Sequence, residues 1–166
     1  RYNEGFYVGY RYYDKHPEEV FFPFGHGLSY TSFEYSDMMV SKEKIENEKF
    51  EIEVSCKIKN TGKTAGKETV QLYMSHINSV VDKPEKELVG FDKIFLMPNE
   101  KKTVKIKLYD KDFSYYNVCL HSRHVESGIY ELKFAASASD IRAEKRISIS
   151  YDTDYTKESC KSTMIL

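Results

Sequence analysis

FEIEVSCKIKNTGKTAGKETVQLYM, residues 50–74, decides the fold. Its first half alternates without a break. Phe50, Ile52, Val54, Cys56 and Ile58 fall on one side, and Glu51, Glu53, Ser55, Lys57 and Lys59 on the other. Successive side chains of a strand point to opposite faces, so a period of two marks a half-buried strand. Asn60, Thr61 and Gly62 then break the pattern with turn residues, and Thr64, Ala65 and Gly66 supply small ones. A second alternation follows, with Val70, Leu72 and Met74 on one face and Thr69, Gln71 and Tyr73 on the other. So short a loop leaves two arrangements open: antiparallel pairing of the two strands, or a crossing between two packed sheets.

The same grammar extends outward from this stretch. Residues 32–40 read as a first strand, and 41–49 as a charged loop. A polar loop over 78–86 contains Pro84, and residues 87–96 form a strand in which Gly90 marks a bulge. Met97, Pro98, Asn99 and Glu100 make a turn, after which Val104, Ile106 and Leu108 alternate inward. Residues 110–126 read as irregular. Tyr130, Leu132 and Phe134 alternate again, and Ile147 and Ile149 belong to a last strand. Residues 151–166 are weakly patterned and read as a mobile tail. About seven short strands between turn signals, with no convincing helix, specify an all-β sandwich of the immunoglobulin or fibronectin type III kind.

Composition narrows the partners. The net charge of the 166 residues is −1, which gives no electrostatic case for nucleic acid or an anionic membrane. No run approaches the roughly 20 apolar residues of a membrane helix. Cys56, Cys119 and Cys160 are odd in number and form no CxxC, so a disulfide framework is not indicated. Cys56 falls on the apolar side of its strand and reads as an inert thiol. The chain starts at Arg1, which reads as the loss of an upstream portion, and no compartment is named by the sequence.

Residues 1–30 do not share the alternation. Gly5 and Gly9 bracket Phe6, Tyr7 and Val8, and Phe21, Phe22, Pro23, Phe24, Gly25, His26 and Gly27 follow after a polar turn at Pro17. Pro23 and the glycines forbid a regular element, yet the apolar surface needs a cover. The expectation is a segment that docks on something else, and that alone is exposed or only partly folded onto the sandwich.

These segments resemble a known family. YNEGFYVGYRYYDKHPEEVFFPFGHGLSYTSFEY (2–35) is similar to the junction near the C-terminus of glycoside hydrolase family 3 enzymes, the β-glucosidases and their relatives. NTGKTAGKETVQLYM (60–74), KPEKELVGFDKIFLMPNE (83–100) and SGIYELKFAASASDIR (127–142) resemble, in order, the fibronectin type III-like domain that follows it. The resemblance implies residues 1–30 as the end of a second, α/β domain with its linker, 31–150 as the fibronectin type III-like domain, and 151–166 as a tail. It implies a parent with a barrel domain and an α/β domain, which would be the partners of this region, and a glucoside or oligosaccharide substrate reached only through that parent. The family's nucleophile is an Asp in the barrel and its general acid a Glu in the second domain; neither motif occurs in this sequence.

No residue is therefore nominated as catalytic, cofactor-binding, metal-binding or substrate-binding, and no cofactor is expected. Several residues invite such roles. Glu4 lies in a family-like motif but outside the catalytic pair, and reads as a structural hydrogen-bonding group. Cys119, His121 and His124 are zinc ligand types whose spacing matches no closed set, so solvated loop histidines are expected. His26 sits between glycines that let the backbone approach a neighbour closely. Asp140 and Arg142 read as a loop-fixing ion pair. The tyrosines suit a sugar platform less well than tryptophan, and read as interdomain packing. Two functions compete: a structural accessory region of a family 3 β-glycosidase, and a free-standing carbohydrate-binding or adhesion module with one aromatic groove. A degenerate, non-catalytic homologue is a third.

Overall fold

The computed structural model describes residues 5–118 and 121–150. The 50–74 stretch adopts the second of its two possible arrangements, with its halves in different sheets. A four-residue α1 (Tyr10–Tyr13) and a 3₁₀ turn (Pro17–Glu19) precede β1 (Phe33–Val40), β2 (Lys44–Ile45), β3 (Glu51–Asn60) and β4 (Gly66–Ile77). Then come β5 (Glu87–Leu96), β6 (Lys101–Tyr109), α2 (Asp110–Phe113), β7 (Ser114–Asn117), β8 (Ser122–Val125), β9 (Gly128–Ser137) and β10 (Asp140–Ile149). A three-stranded sheet, β1-β3-β6, faces a five-stranded sheet, β2-β10-β9-β4-β5, and β7-β8 form a separate hairpin. Seven long strands build the sandwich and pair antiparallel, while the two-residue β2 joins β10 in parallel.

The core lies between the sheets. Ile52, Val54, Cys56 and Ile58 of β3 are buried in one cluster with Val70 and Leu72 of β4 and Leu132 and Phe134 of β9. Burying each such aliphatic side chain contributes roughly 1.5–3 kcal/mol before chain entropy is counted. Asn60 fixes the crossing between sheets. Its side-chain nitrogen donates to the carbonyls of Thr64 and Leu96, and its Oδ1 accepts from Gly62 N and Thr31 Oγ1. A fully buried amide needs such complete pairing, because an unpartnered polar group there would cost stability. Gly90 does sit at a bulge: the register slips between Leu72 and Tyr73, so Gly90 opposes Leu72 while Leu88 opposes Tyr73. A Cβ on Gly90 would come within 2.6 Å of Ile106 Cγ2. The slip lets Val89 pack toward the core beside Gly90, while beyond it Ile94 faces inward and Phe91 is exposed on the outer face.

The described residues of 110–126 are not irregular. They form α2 and the β7-β8 hairpin, and Phe113 is buried against Phe50 and Tyr130. The order comes from tertiary contact, which leaves no alternation in so short a pair of strands. Tyr130, near the start of β9, donates its hydroxyl hydrogen to the Glu126 carbonyl, 2.7 Å away. This is the tyrosine-corner arrangement of such sandwiches. Likewise, 41–49 holds β2 and buries Ile45. The expected tail at 151–166 lies outside the described residues.

The two outer faces differ. That of the three-stranded sheet is charged and paired, with Glu51 to Lys107 at 2.6 Å, Glu53 to Lys105 at 2.9 Å and Asp37 to Lys57 at 2.7 Å. Such cross-strand pairs suit a face left to solvent. On the five-stranded sheet the outer side of β4 is closed over: Gln71, Tyr73 and Ser75 are buried along with the inward Val70, Leu72 and Met74.

Val54→Asp is expected to abolish the cooperative thermal transition followed by circular dichroism, because it places an unpaired carboxylate between the sheets. A variant that still melts cooperatively near the parent temperature would contradict this core.

Candidate interaction surface

What closes the outer side of β4 is the N-terminal segment, which runs as a strap over the five-stranded sheet. Four polar contacts fix its first part to the β4-β5 loop and the start of β5. Tyr7 donates to Asp82 Oδ1 at 2.5 Å, Arg11 pairs with Glu87 at 2.9 Å, Lys86 pairs with Asp14, and the Leu88 amide donates to the Tyr10 hydroxyl at 2.8 Å. The Tyr10 ring meets Tyr73 edge-on at 5.8 Å and Phe24 at 5.4 Å. Tyr73 is fully buried in the small outer cluster it makes with Ala135 and Ala138, packed by Tyr10 and Leu88. Further on, the Ala138 amide donates to the Phe24 carbonyl at 2.8 Å. Gly25, at φ +79°, lies so close to the Gln71 amide that a Cβ would meet Nε2 at 2.1 Å. Gly27 meets nothing comparable. The Gln71 side chain is itself held between Tyr73, which donates to its oxygen at 2.6 Å, and the Ala136 carbonyl.

The strap's other side chains point away. Phe21 is 93% exposed, Leu28 96% and Tyr30 99%, and Phe6, Phe22 and Phe24 are also exposed. Phe91 and Phe95 on the outer side of β5 are exposed too. The expected partial folding of this segment thus has a definite form: polar groups and two rings seat it, and the remaining apolar groups form a projecting surface.

The other nominated residues sit as follows. His26 is exposed, with its ring 5.4 Å from Phe22. Arg142 forms a bidentate pair with Asp140, both bonds 2.6 Å. His124 is buried on β8 against the edge of Tyr115, and His121 occupies the exposed turn before it. Among the described residues neither joins a group of three possible metal ligands; Cys119 and Glu4 lie outside the described residues. His16, Glu18 and Glu19 do come together, on an exposed turn. A cleft of about 130 Å³ beside the β7-β8 hairpin is lined by Glu48, Asp110, Lys111, Arg123 and His124, with no phenylalanine, tyrosine or tryptophan.

Sequence reasoning passed over a buried polar cluster at the β4-β5 end. Glu126 accepts from Ser79 Oγ at 2.7 Å and Val80 N at 2.8 Å, with His76 Nδ1 at 3.3 Å and Lys83 Nζ at 3.9 Å. The His76 ring stacks on Tyr130 at 4.2 Å. Burial holds His76 and His124 below the ordinary imidazole range against the pull of Glu126, and it lowers Lys83 as well. None of these residues shares a local motif, so only the fold reveals the group.

A fibronectin type III-like domain model matches residues 68–138. Thermostable β-glucosidase B of Acetivibrio thermocellus is 50% identical over 148 residues, which is 89% of this chain and 20% of that protein. An exo-α-(1→6)-L-arabinopyranosidase of Bifidobacterium breve is 38% identical over 151 residues, 91% of this chain and 19% of that protein. The crystal structure of a β-glucosidase from Kluyveromyces marxianus superposes with a TM-score of 0.79 at 47% identity, over 90% of this chain and 18% of that one. The chain thus spans about a fifth of the length of these relatives.

Two predictions test this geometry. Gly25→Ala forces a left-handed backbone on a side chain and a clash with Gln71, so limited trypsinolysis should cut the strap faster than in the parent. The second concerns pH. The unfolded chain binds protons on its imidazoles near pH 6.5, whereas His76 and His124 resist protonation in the fold. The stability they carry is whole above about pH 6.5 and falls as pH drops through their folded values. Thermal melts between pH 8 and 5 should show that decline, and His76→Gln should flatten it while lowering the melting temperature overall.

Proposed function

The chain carries the fibronectin type III-like region of glycoside hydrolase family 3 enzymes, the β-glucosidases among them, and from that premise we propose that it is the C-terminal accessory part of a longer β-glycosidase. Its direct role is structural. The sandwich, residues 31–150, packs on the catalytic domains of the same polypeptide, and residues 1–30 are the end of the α/β domain that joins them. The longer protein hydrolyses O-glycosidic bonds, with β-glucosides as the leading substrate class because relatives bear that activity in their names. The sugar is chosen elsewhere in that protein: an arabinopyranosidase carries a closely similar region.

One observation carries the reading. A segment whose polar groups are seated on the sandwich holds Phe21, Phe22, Leu28 and Tyr30 in water. Large apolar side chains left in water together on so short a segment mark a contact with another protein surface. It lies on the side of the five-stranded sheet, opposite the paired charges of the other sheet. The chain itself holds no hydrolytic function in this reading. Retaining hydrolysis needs two carboxylates about 5–5.5 Å apart across a sugar. The half-buried Asp14 and Glu131 and the buried Glu126 are instead each tied to cations of the sandwich.

Light scattering on the 166-residue chain is expected to show concentration-dependent association, which the combined substitution of Phe21, Phe22, Leu28 and Tyr30 by Ser relieves without loss of the thermal transition. The same chain should release no aryl aglycone from an aryl β-glucoside above buffer. A parent chain that stays monomeric at high concentration, with its strap protected from protease, would favour the free-standing module.

A further inference from the structure

We propose that Glu126 is the anchor that positions the strap, acting through the β4-β5 loop as a bracket. The loop, residues 78–86, is held from two sides. On its inner side Glu126 accepts from Ser79 Oγ and Val80 N, and Ser79 Oγ in turn accepts from Val81 N at 3.2 Å. Lys83 Nζ stands 3.9 Å from the same carboxylate and 4.7 Å from the centre of the Tyr115 ring. On its outer side Asp82 and Lys86 hold Tyr7 and Asp14, and the adjoining Glu87 and Leu88 hold Arg11 and Tyr10. Every polar contact of residues 7–14 with the sandwich described above is made to residues 82–88.

The inner attachment is the firmer one. Glu126 is only 8% exposed, and so buried a polar group is stable there only when several donors converge on it. Its backbone is fixed independently, because its carbonyl accepts from Tyr130, whose ring is stacked on His76 and packed against Phe113. The loop starts at Asn78, which takes a left-handed φ of 60° and so turns the chain sharply out of β4. Without Glu126, residues 79–81 lose their described tie to the sandwich, and Asp82 no longer stands where Tyr7 meets it. The coupling runs outward: Tyr7, which does not touch Glu126, can be lost without disturbing Val80. This positioning role holds whether or not the strap meets another domain.

The test uses the whole 166-residue chain with three substitutions. Glu126→Gln should raise hydrogen exchange at the Val80 and Leu88 amides by about ten-fold, the loss expected when a hydrogen bond to a charged group is weakened. It should speed tryptic cleavage after Arg11 and Lys15 to a similar degree. Tyr7→Phe should speed that cleavage while Val80 stays protected. Glu131→Gln, which removes a carboxylate paired with Lys133 on its own strand and Arg146 on β10, should leave both readouts unchanged. If Glu126→Gln does not fold cooperatively, Ser79→Ala removes one of the two loop bonds and should give a smaller change in the same two readouts. Faster exchange at Val80 without faster strap cleavage would overturn the proposal, as would equal strap cleavage in the Glu126 and Glu131 variants.

Discussion

Both faces of β4 must be covered. Its inward Val70 and Leu72 fill the space between the sheets, and its outward Tyr73 and Gln71 are sealed under the strap. A strand covered on one face has half of its side chains in water; β4 has almost none. The outward layer is small, and it is held by directed bonds more than by apolar area. The Gln71 amide joins Tyr73 to Ala136, and the Phe24 carbonyl takes the Ala138 amide. Gly25 is needed there because no side chain fits between the strap and Gln71. The strap therefore completes the sandwich on one side and at the same time is displayed by it.

This double duty separates what the residues announce locally from what they do not. β3, β6 and β9 alternate visibly because one side of each faces the core and the other faces solvent or paired charges, as Glu53 and Lys105 do. Gln71 and Tyr73 look like solvent-facing partners of Val70 and Leu72, since both are polar at their tips. Only a segment far away in sequence buries them. The β7-β8 hairpin escaped notice for a similar reason: Phe113 supplies its apolar anchor, and the order around it comes from Tyr130 and Phe50. Turn chemistry was legible where it is local, at Asn60 and Gly90. The stickiness of residues 6–30 was legible from composition. Its seating was not, because Tyr7 with Asp82 and Asp14 with Lys86 are ties between groups more than 70 residues apart.

The asymmetry of the two outer faces follows from the same constraint. A three-stranded sheet studded with Glu–Lys pairs needs no cover, and bringing an apolar surface against it would strip water from those charges at a cost. The five-stranded sheet has Phe91 and Phe95 exposed beside a strap that exposes several more rings. A partner that approaches from this side removes apolar surface from water and leaves the paired charges hydrated. Electrostatics and hydrophobic burial thus select the same side, although they act on opposite faces of the sandwich.

A sugar-binding module and an interdomain brace would use aromatic rings differently. A carbohydrate platform presents ring faces in a groove, held rigid by their neighbours, with polar groups placed at its edges. The most exposed rings of the strap, Phe21, Phe22 and Tyr30, stand on a segment without regular structure between the 3₁₀ turn and β1, whereas Tyr10 and Tyr73 are turned inward against each other. The cleft beside the hairpin is lined by charges and a single imidazole, without the broad phenyl, phenol or indole faces on which a sugar stacks. What is rigid here is the seat and what is exposed is greasy, which is the division of labour of a brace. Under the proposed role, relatives named for different sugars can share this region, because a surface that braces one domain against another does not read the sugar.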